Sequence, residues 1–365
     1  MISWSSLYHV VEAMMPLYAA MALGYASVRK KAFTPEQCAG INHFVALLAV
    51  PLLIFRMISS NNPYTMNIRF LAADTLQKVI ILATLAAWTR FSNKGSIAWV
   101  ITLFSLATLP NTVLMGVPVL RGMYGPMSEN LMVQIVVLQF VVWYVLVVFL
   151  FEYMAAQNAF MEQQQMSPPQ ANGSHSVDIP AVNADGSDPD VSIAQEETTR
   201  PSGMLILIMA VKKILKIPST YASLLGLFWS LIAFRFGIKM PAIIDNSLSI
   251  ISVSAIGLGM FSVGAFMAQR KKFITCGYYL AVLAMVMRFL IGPIVMLVSS
   301  FAVGLQDVFL NVGVVQAALP LAVLSFVYAE EYNVHPDIMS TGVIVGIFIS
   351  VPLTILYYVL LGLGR

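Results

Sequence analysis

The chain is poor in charged residues, which make up 10% of its 365 residues, and this scarcity excludes an ordinary soluble domain. Soluble globular domains carry about 25% charged residues. Hydrophobic residues instead make up 59% of the chain, and the mean hydropathy is +0.83. This composition is typical of a polytopic membrane protein, in which each crossing helix needs about 20 apolar residues.

Cysteine and the signatures of soluble enzymes are also scarce. Only Cys38 and Cys276 are present, in different halves of the chain, so the sequence predicts neither a disulfide framework nor a cysteine metal site. No P-loop, GxGxxG unit or HExxH motif occurs, and the histidines are scattered. We therefore expect no enzyme activity, no cofactor, no bound metal and no nucleic-acid partner.

Ten apolar stretches are long enough to cross a bilayer, and they fall into two groups of five. The first group covers 7–28, 39–59, 70–90, 97–122 and 131–154, and the second covers 219–237, 244–267, 276–300, 306–329 and 338–362. We therefore predict an all-α membrane protein with one five-helix repeat over 1–154 and another over 218–365.

The connection between the two groups has a different composition. Residues 155–202 are rich in Gln, Ser, Pro, Asn, Asp and Glu, which predicts a short disordered linker because they bury too little apolar surface. Residues 203–217 carry Lys212, Lys213 and Lys216 among apolar positions, which predicts an amphipathic segment lying on membrane lipid.

Basic residues predict how the chain is oriented. They concentrate in one set of loops, which the positive-inside rule assigns to the cytosol. These residues are Arg29, Lys30, Lys31, Arg90, Lys94, Arg200, Lys212, Lys213, Lys216, Arg270, Lys271 and Lys272. The linker is then cytosolic and both termini are lumenal or extracellular. Because five spans are an odd number, the repeats lie in opposite orientations, as in many secondary transporters.

The fourth and ninth spans carry the same interruption. Pro110 in TLPNTVL and Pro320 in ALPLAVL fall at matching positions. Proline deletes a backbone hydrogen bond, and in lipid such a break survives only where protein or a water-filled cavity satisfies the freed groups. Two matched breaks predict crossing helices and a midplane site at which half-helix N-termini attract an anion such as a carboxylate. The alternative is two simple kinks that improve helix packing.

Polar residues near the breaks are the candidate site residues. Asn111 adds an amide donor directly after Pro110, and Gln139 and Tyr144 place polar groups in the fifth span. Asp74 and Lys78 lie one helical turn apart, which predicts either a neutralising ion pair near a membrane edge or a protonatable or charge-tuning pair beside the cavity. Arg288, in the middle of the eighth span, is expected either to attract an anion or to pair with a carboxylate or a backbone carbonyl.

Four stretches together resemble the PIN-FORMED auxin efflux carriers of plants. They are Pro35–Asn42, Leu109–Thr112, Gln134–Gln139 and Glu331–Asp337. The resemblance covers nearly all of both membrane halves and fails only in the linker, whose shortness is similar to that of the short-loop branch. It implies a fold like that of bile-acid and sodium–proton carriers, a homodimer, and the endoplasmic reticulum membrane, or alternatively the plasma membrane.

The resemblance also implies a substrate, the indole-3-acetate anion, and an elevator-like alternation of access that needs no coupling ion. Asn111 and the half-helix ends would hold the carboxylate. The expected ring contacts and cavity residues are Val50, Pro51, Leu114, Val323, Tyr144 and Gln139. By the same resemblance, Asp74 and Lys78 would form a support site beside the main pocket.

The chain departs from the family pattern at the second break. The family usually carries Leu-Pro-Gln-Gly there and another proline soon after, whereas this chain has Leu321, Ala322 and Ser325. These changes remove an amide donor and restrict the backbone. We therefore predict a weaker or altered affinity for the substrate with the same fold. Two other functions stay open: a proton- or sodium-coupled organic-anion carrier that uses Asp74, and an auxin-binding membrane receptor that does not transport.

Overall fold

The computed structural model describes residues 4–92, 95–166, 203–270 and 272–363, and within these ranges the chain is helical and forms no β-strand. The first half contains α1 (Trp4–Arg29), α2 (Pro35–Phe44), α3 (Val50–Ser59), α4 (Ile68–Phe91), α5 (Ile97–Thr108), α6 (Val117–Tyr124), α7 (Pro126–Leu138) and α8 (Tyr144–Met166). The second half contains α9 (Gly203–Ile214), α10 (Pro218–Phe236), α11 (Ala242–Gln269), α12 (Tyr278–Val286), α13 (Gly292–Ala302), α14 (Asp307–Ala317), α15 (Val323–Glu331) and α16 (Pro336–Leu363).

Seven of the described helices or helix pairs are long and apolar enough to cross a membrane. They agree with predicted spans, whereas α5 and α14 are shorter apolar helices that begin the interrupted fourth and ninth spans. The helix α10 covers the sixth predicted span but is not one of the seven. The prediction of an all-α membrane protein is confirmed, and the arrangement of ten spans as inverted repeats stays a prediction.

Several spans pass through a π-helical turn that a proline follows. These turns are Val45–Ala49, Thr112–Gly116 and Met287–Ile291, and they precede Pro51, Pro118 and Pro293 respectively. Proline has no N–H for the usual helical bond, so the wider turn accommodates the missing donor. A fourth turn, Gln139–Trp143, joins α7 to α8.

The structure corrects one boundary of the predicted linker. The helix α8 continues to Met166, so residues 155–166 are helical and not disordered. This stretch contains Ala, Gln, Met and Glu, which extend a helix at little cost beyond the apolar span. The helix α9 packs against α8 and covers most of the predicted amphipathic segment. The remaining linker, residues 167–202, lies outside the described residues.

Glycines let α1 and α11 approach each other until their backbones touch. A Cβ added at Gly264 would lie 1.9 Å from the Met21 carbonyl oxygen, and one added at Gly24 would lie 2.1 Å from that of Phe261. Small residues are the usual means of close helix packing in membranes. The hydrophobic effect does not drive helices together there, because the lipid tails are as apolar as the side chains. The helix α3 packs against α10 and α11. We call α1, α3, α10 and α11 the scaffold group.

Ten other described helices form a second group around the two interrupted spans. Within it α4 packs against α5 and α13, α13 packs against α14, and α16 packs against α12 and α15. The helix α6 also contacts α1, so the two groups meet beside the first break. We call this second set, α4 to α8 and α12 to α16, the crossing group.

Candidate functional site

The two interruptions meet and complete each other's backbone hydrogen bonding. The N–H of Asn111 donates to the carbonyl oxygen of Pro320 at 2.8 Å, and the N–H of Ala322 donates to that of Leu109 at 3.1 Å. Pro110 and Leu321 thereby form an isolated antiparallel bridge, and both residues are buried. Buried backbone polar groups must find partners, and each break supplies them to the other. The structure thus brings together the two prolines that the sequence singled out.

A cavity of about 530 Å³ lies against this bridge. Thr112–Leu114 and Ala322–Leu324, the first turns of the helical segments that follow the two breaks, both contribute to its lining. The first N–H groups of a helix have no partner within it and carry partial positive charge. Two such ends at one cavity form a site suited to an anion.

Most of the residues predicted from the sequence line this cavity. They are Val50, Asn111, Leu114, Gln139, Tyr144 and Val323, together with Pro110 at the first break. Pro51, which was expected to contact the ring, is buried in the first turn of α3 and is not among the lining residues. Pro320 does not line the cavity either, and its carbonyl oxygen accepts the hydrogen bond from the Asn111 N–H.

Asn111 and Gln139 play different parts. The Gln139 amide nitrogen donates to the Pro110 carbonyl at 2.9 Å, and its oxygen accepts from the Thr112 hydroxyl at 3.1 Å. Gln139 therefore fixes the first break. The Asn111 side-chain nitrogen is buried and donates to no acceptor in the described part of the chain. A buried donor without a partner costs about 1–3 kcal/mol.

Asp74 and Lys78 form a fully buried ion pair outside the cavity lining. Gln316, at the end of α14, donates to the same Asp74 oxygen at 3.3 Å, and the Lys78 ammonium lies 5.5 Å from the Trp143 ring centre. Gln77 instead donates to the Gly292 carbonyl at 2.9 Å. The pair thus connects α4 to α14, the helix that leads into the second break.

Sequence reasoning missed the wall that α11 contributes. Gly259, Ser262, Val263 and Phe266 line the cavity, and a Cβ added at Gly259 would lie 3.0 Å from Leu114. No charge or proline marks this stretch of α11. Its one available signal was the spacing of small residues, which permits close approach of backbone and ligand.

Charged and aromatic side chains surround one end of the cavity. Arg270 pairs with Glu330 at 3.3 Å, and its guanidinium carbon lies 4.8 Å and 5.2 Å from the ring centres of Phe266 and Phe326. This pair connects α11 of the scaffold group to α15 of the crossing group. Phe266, Phe326 and Glu330 also line the cavity.

A second ionic cluster ties α9 to the same end of α15. The Lys213 ammonium lies 3.1 Å from Glu152 and 3.0 Å from Glu331, and 4.1 Å from the ring centre of Tyr332. Burial alone would lower the pKa of Lys213, but hydrogen bonds with Tyr332, Glu331 and Glu152 outweigh it and raise the pKa above its ordinary value. Lys213 therefore stays protonated at physiological pH.

A larger cavity of about 960 Å³ lies on the other side of the first break. Arg56, Arg121 and Glu129 are among its lining residues. Val113 lines this cavity and also the smaller one, so the beginning of the helical segment after the first break separates them.

Comparisons with known proteins agree on one family. The membrane transport protein family matches residues 9–358. The probable auxin efflux carrier component 9 of rice is 50% identical, and the auxin efflux carrier component 8 of Arabidopsis thaliana is 42% identical, with complete coverage of both chains in each case. The probable rice component 1b is 37% identical over 555 aligned positions, whereas the alignment with component 8 spans 374. This chain of 365 residues therefore has the shorter form.

Proposed function

The chain belongs to the PIN-FORMED auxin efflux carriers of plants, in their short-loop branch, and on this premise we propose that it exports the indole-3-acetate anion through the cavity at the crossed breaks. It is a membrane transporter and not an enzyme. The observation that carries the proposal is the meeting of two half-helix N-termini and the unpartnered Asn111 amide at one otherwise largely apolar cavity.

The cavity offers complementary surfaces to the two ends of this substrate. We assign the carboxylate to the helix beginnings at Thr112 and Val323 and to the Asn111 amide, because charge-assisted bonds to such donors are strong. We assign the indole ring to Val50, Leu114 and their apolar neighbours. A volume of about 530 Å³ falls within the range of about 300–1,000 Å³ usual for small-molecule sites.

Transport then proceeds by an elevator-like alternation of access. The cavity next to Glu330 and the cavity next to Arg121 share Val113, so moving the crossing group against the scaffold group would expose the site first to one side and then to the other. The driving force is the substrate gradient and the membrane potential, which is worth about 2.3 kcal/mol per charge per 100 mV. Asp74 and Lys78 support the crossing from behind.

The proposed orientation assigns the Glu330 end to the cytosol, with the linker on that side and both termini lumenal or extracellular. We further propose a homodimer in the endoplasmic reticulum membrane, with the plasma membrane as the alternative. The support for these assignments is the distribution of loop charges and the short-loop character of the chain.

A coupled carrier that uses Asp74 is the second candidate function. One oxygen of Asp74 is engaged by Lys78 and Gln316, and the other has no partner in the described residues. That free oxygen is what favours this candidate, since a carboxylate oxygen can take up a proton or coordinate sodium. A receptor that binds auxin without transporting it is a third candidate.

The test is radiolabelled indole-3-acetate efflux from proteoliposomes that contain the purified full chain. We expect efflux that depends on the membrane potential and not on an imposed sodium or pH gradient. Flux that requires either gradient would favour the Asp74-coupled carrier, and specific binding without flux would favour the receptor. If the protein neither binds nor transports this ligand, that result contradicts the proposal.

A further inference from the structure

Arg288 lies fully buried behind the two breaks and binds both of them. Its Nε donates to the carbonyl oxygen of Leu319, and its Nη1 donates to that of Leu106 at 3.1 Å. Leu106 belongs to the last turn of α5, and Leu319 follows the end of α14. One guanidinium group therefore spans the C-terminal ends of both half-helices that stop at the crossing.

These helix ends are where a cation is expected. The last carbonyl groups of a helix lack partners within it and carry partial negative charge. In carriers with interrupted helices, such carbonyls coordinate the coupling cation, while the N-terminal ends face the anionic substrate. In this chain the N-terminal ends line the cavity, and the guanidinium of Arg288 occupies the position between the C-terminal ends.

No carboxylate among the described residues lies within ion-pair distance of Arg288. Its charge is thus left to the helix-end carbonyls, and its Nη2 has no hydrogen-bond partner in this part of the chain. A buried cation without a counter-ion is costly, and helix-end dipoles are the compensation this fold supplies. The sequence alone left open whether Arg288 attracts an anion or binds carbonyls, and the geometry selects the carbonyls.

We propose that Arg288 is a positioning residue that takes the place of a coupling cation, holding the two helix ends together so that the anion moves without a sodium ion or proton bound there. This inference rests on the proposed function. The charge of the Arg288 guanidinium is covalently part of the protein and remains through every step of the transport cycle. The two breaks then move as one unit with a constant electrostatic balance.

Three substitutions separate charge from packing. Arg288→Lys keeps the charge but cannot bind two carbonyls with a planar fork, Arg288→Met keeps much of the volume without charge, and Arg288→Ala leaves space for a small cation. In proteoliposomes we expect Arg288→Lys, which keeps the charge but cannot hold both carbonyls in the same way, to retain more of the efflux than Arg288→Met. We expect Arg288→Met to lose about tenfold or more in turnover, which corresponds to about 1.4 kcal/mol for each tenfold. We expect guanidinium or sodium ions at millimolar concentration to restore part of the Arg288→Ala efflux.

The Asn111→Ala variant is the matched control, because guanidinium should not restore a defect at the cavity side of the same break. Gel filtration and thermal melting establish that each variant is folded. Equal turnover of Arg288→Met and Arg288→Lys would overturn the inference. So would a folded Arg288→Ala protein whose efflux neither guanidinium nor sodium restores.

A measurement on the unmodified protein covers the case in which the variants do not fold. Its efflux should be the same when sodium is replaced by choline at a clamped potential, and a requirement for sodium would overturn the inference. Absence of any auxin flux from the unmodified protein would instead contradict the proposed function, so the two failures are distinguishable.

Discussion

The backbone N–H of Asn111 donates to the carbonyl oxygen of Pro320, and this bond at 2.8 Å joins the two interrupted spans at their breaks. The reciprocal bond from Ala322 to Leu109 closes the pair. Each proline interrupts its own helix, and the carbonyl of Pro320 or Leu109 at one break accepts from a backbone N–H of the other. The two breaks are consequently one structural unit, and a substitution at either break should alter the backbone of both.

Replacing Asn111 by Ala should weaken indole-3-acetate binding about tenfold or more, because a hydrogen bond to a charged group is worth about 1.5–3 kcal/mol. Equilibrium binding of labelled ligand to the purified protein measures this. Asn42→Ala is the matched control, since Asn42 also lines the cavity but is an exposed residue of α2, and it should change the affinity little. Unchanged binding by Asn111→Ala would remove Asn111 from the site.

The departures at the second break should affect the site through Ala322 more than through Leu321. Ala322 lines the cavity, whereas Leu321 is fully buried and pairs with Pro110. We expect Leu321→Gln combined with Ala322→Gly to change the dissociation constant for indole-3-acetate about threefold or more, chiefly because glycine and alanine differ by about 0.5–1 kcal/mol in backbone freedom. Ala322→Gly alone separates the two positions. Equal affinity and turnover in the double variant would contradict the predicted effect of these residues.

Adding one methyl group at Gly264 should disrupt the scaffold group. A Cβ there would lie 1.9 Å from the Met21 carbonyl oxygen, so α1 and α11 would have to separate. We expect Gly264→Ala to lower the melting temperature sharply. Gly257→Ala on the same helix is the control, because a Cβ at Gly257 meets nothing within 4 Å and alanine favours a helix over glycine by about 1 kcal/mol. Equal melting temperatures for the two variants would show that this crossing is not tight.

The pair between Arg270 and Glu330 should slow the relative movement of the two groups. An exposed ion pair is worth about 0.2–1 kcal/mol, so Glu330→Gln should raise the efflux rate about twofold with little change in affinity. Raising the ionic strength should have the same effect on the unmodified protein. The exchange of both charges, Arg270→Glu with Glu330→Arg, should bring the rate back. If the efflux rate of the exchanged variant is no closer to the rate of the unmodified protein than the rates of the single variants are, the pair has no direct role.

Acidification should destabilise the turn between α15 and α16 through His335. Burial lowers the pKa of His335, whose Nδ1 lies 2.9 Å from the Thr102 hydroxyl. Because the folded state disfavours the proton, the contribution of neutral His335 to stability is complete above its unfolded pKa of about 6.5 and is lost as pH falls through its folded pKa.

Melting temperatures between about pH 5 and pH 7 measure this loss, with His335→Asn as the comparison. Asparagine tolerates the left-handed backbone at this position, where φ is 45°. The variant should show a smaller decrease on acidification than the unmodified protein. Equal decreases would assign the pH dependence to another group.

Much of the site was predictable because its signals are local. Pro110 and Pro320 mark the breaks by their effect on the backbone, and Asn111, Gln139 and Tyr144 are polar groups that an apolar span does not carry without a reason. Pro51 and the wall formed by α11 could not be assigned in this way. Whether an apolar or small residue faces a cavity depends on neighbours that are distant in sequence.

The sequence by itself determined that the chain is a helical membrane protein with two matched interruptions, because lipid forces backbone groups into helices and a proline inside a helix removes one bond. Only the tertiary structure decided that Asn111 bonds to Pro320, that Gln139 is used to fix the first break, and that Arg288 joins both helix ends. The physical reason is that each freed donor or acceptor has many chemically equivalent partners along the chain. Packing in three dimensions decides which of them come within hydrogen-bond distance.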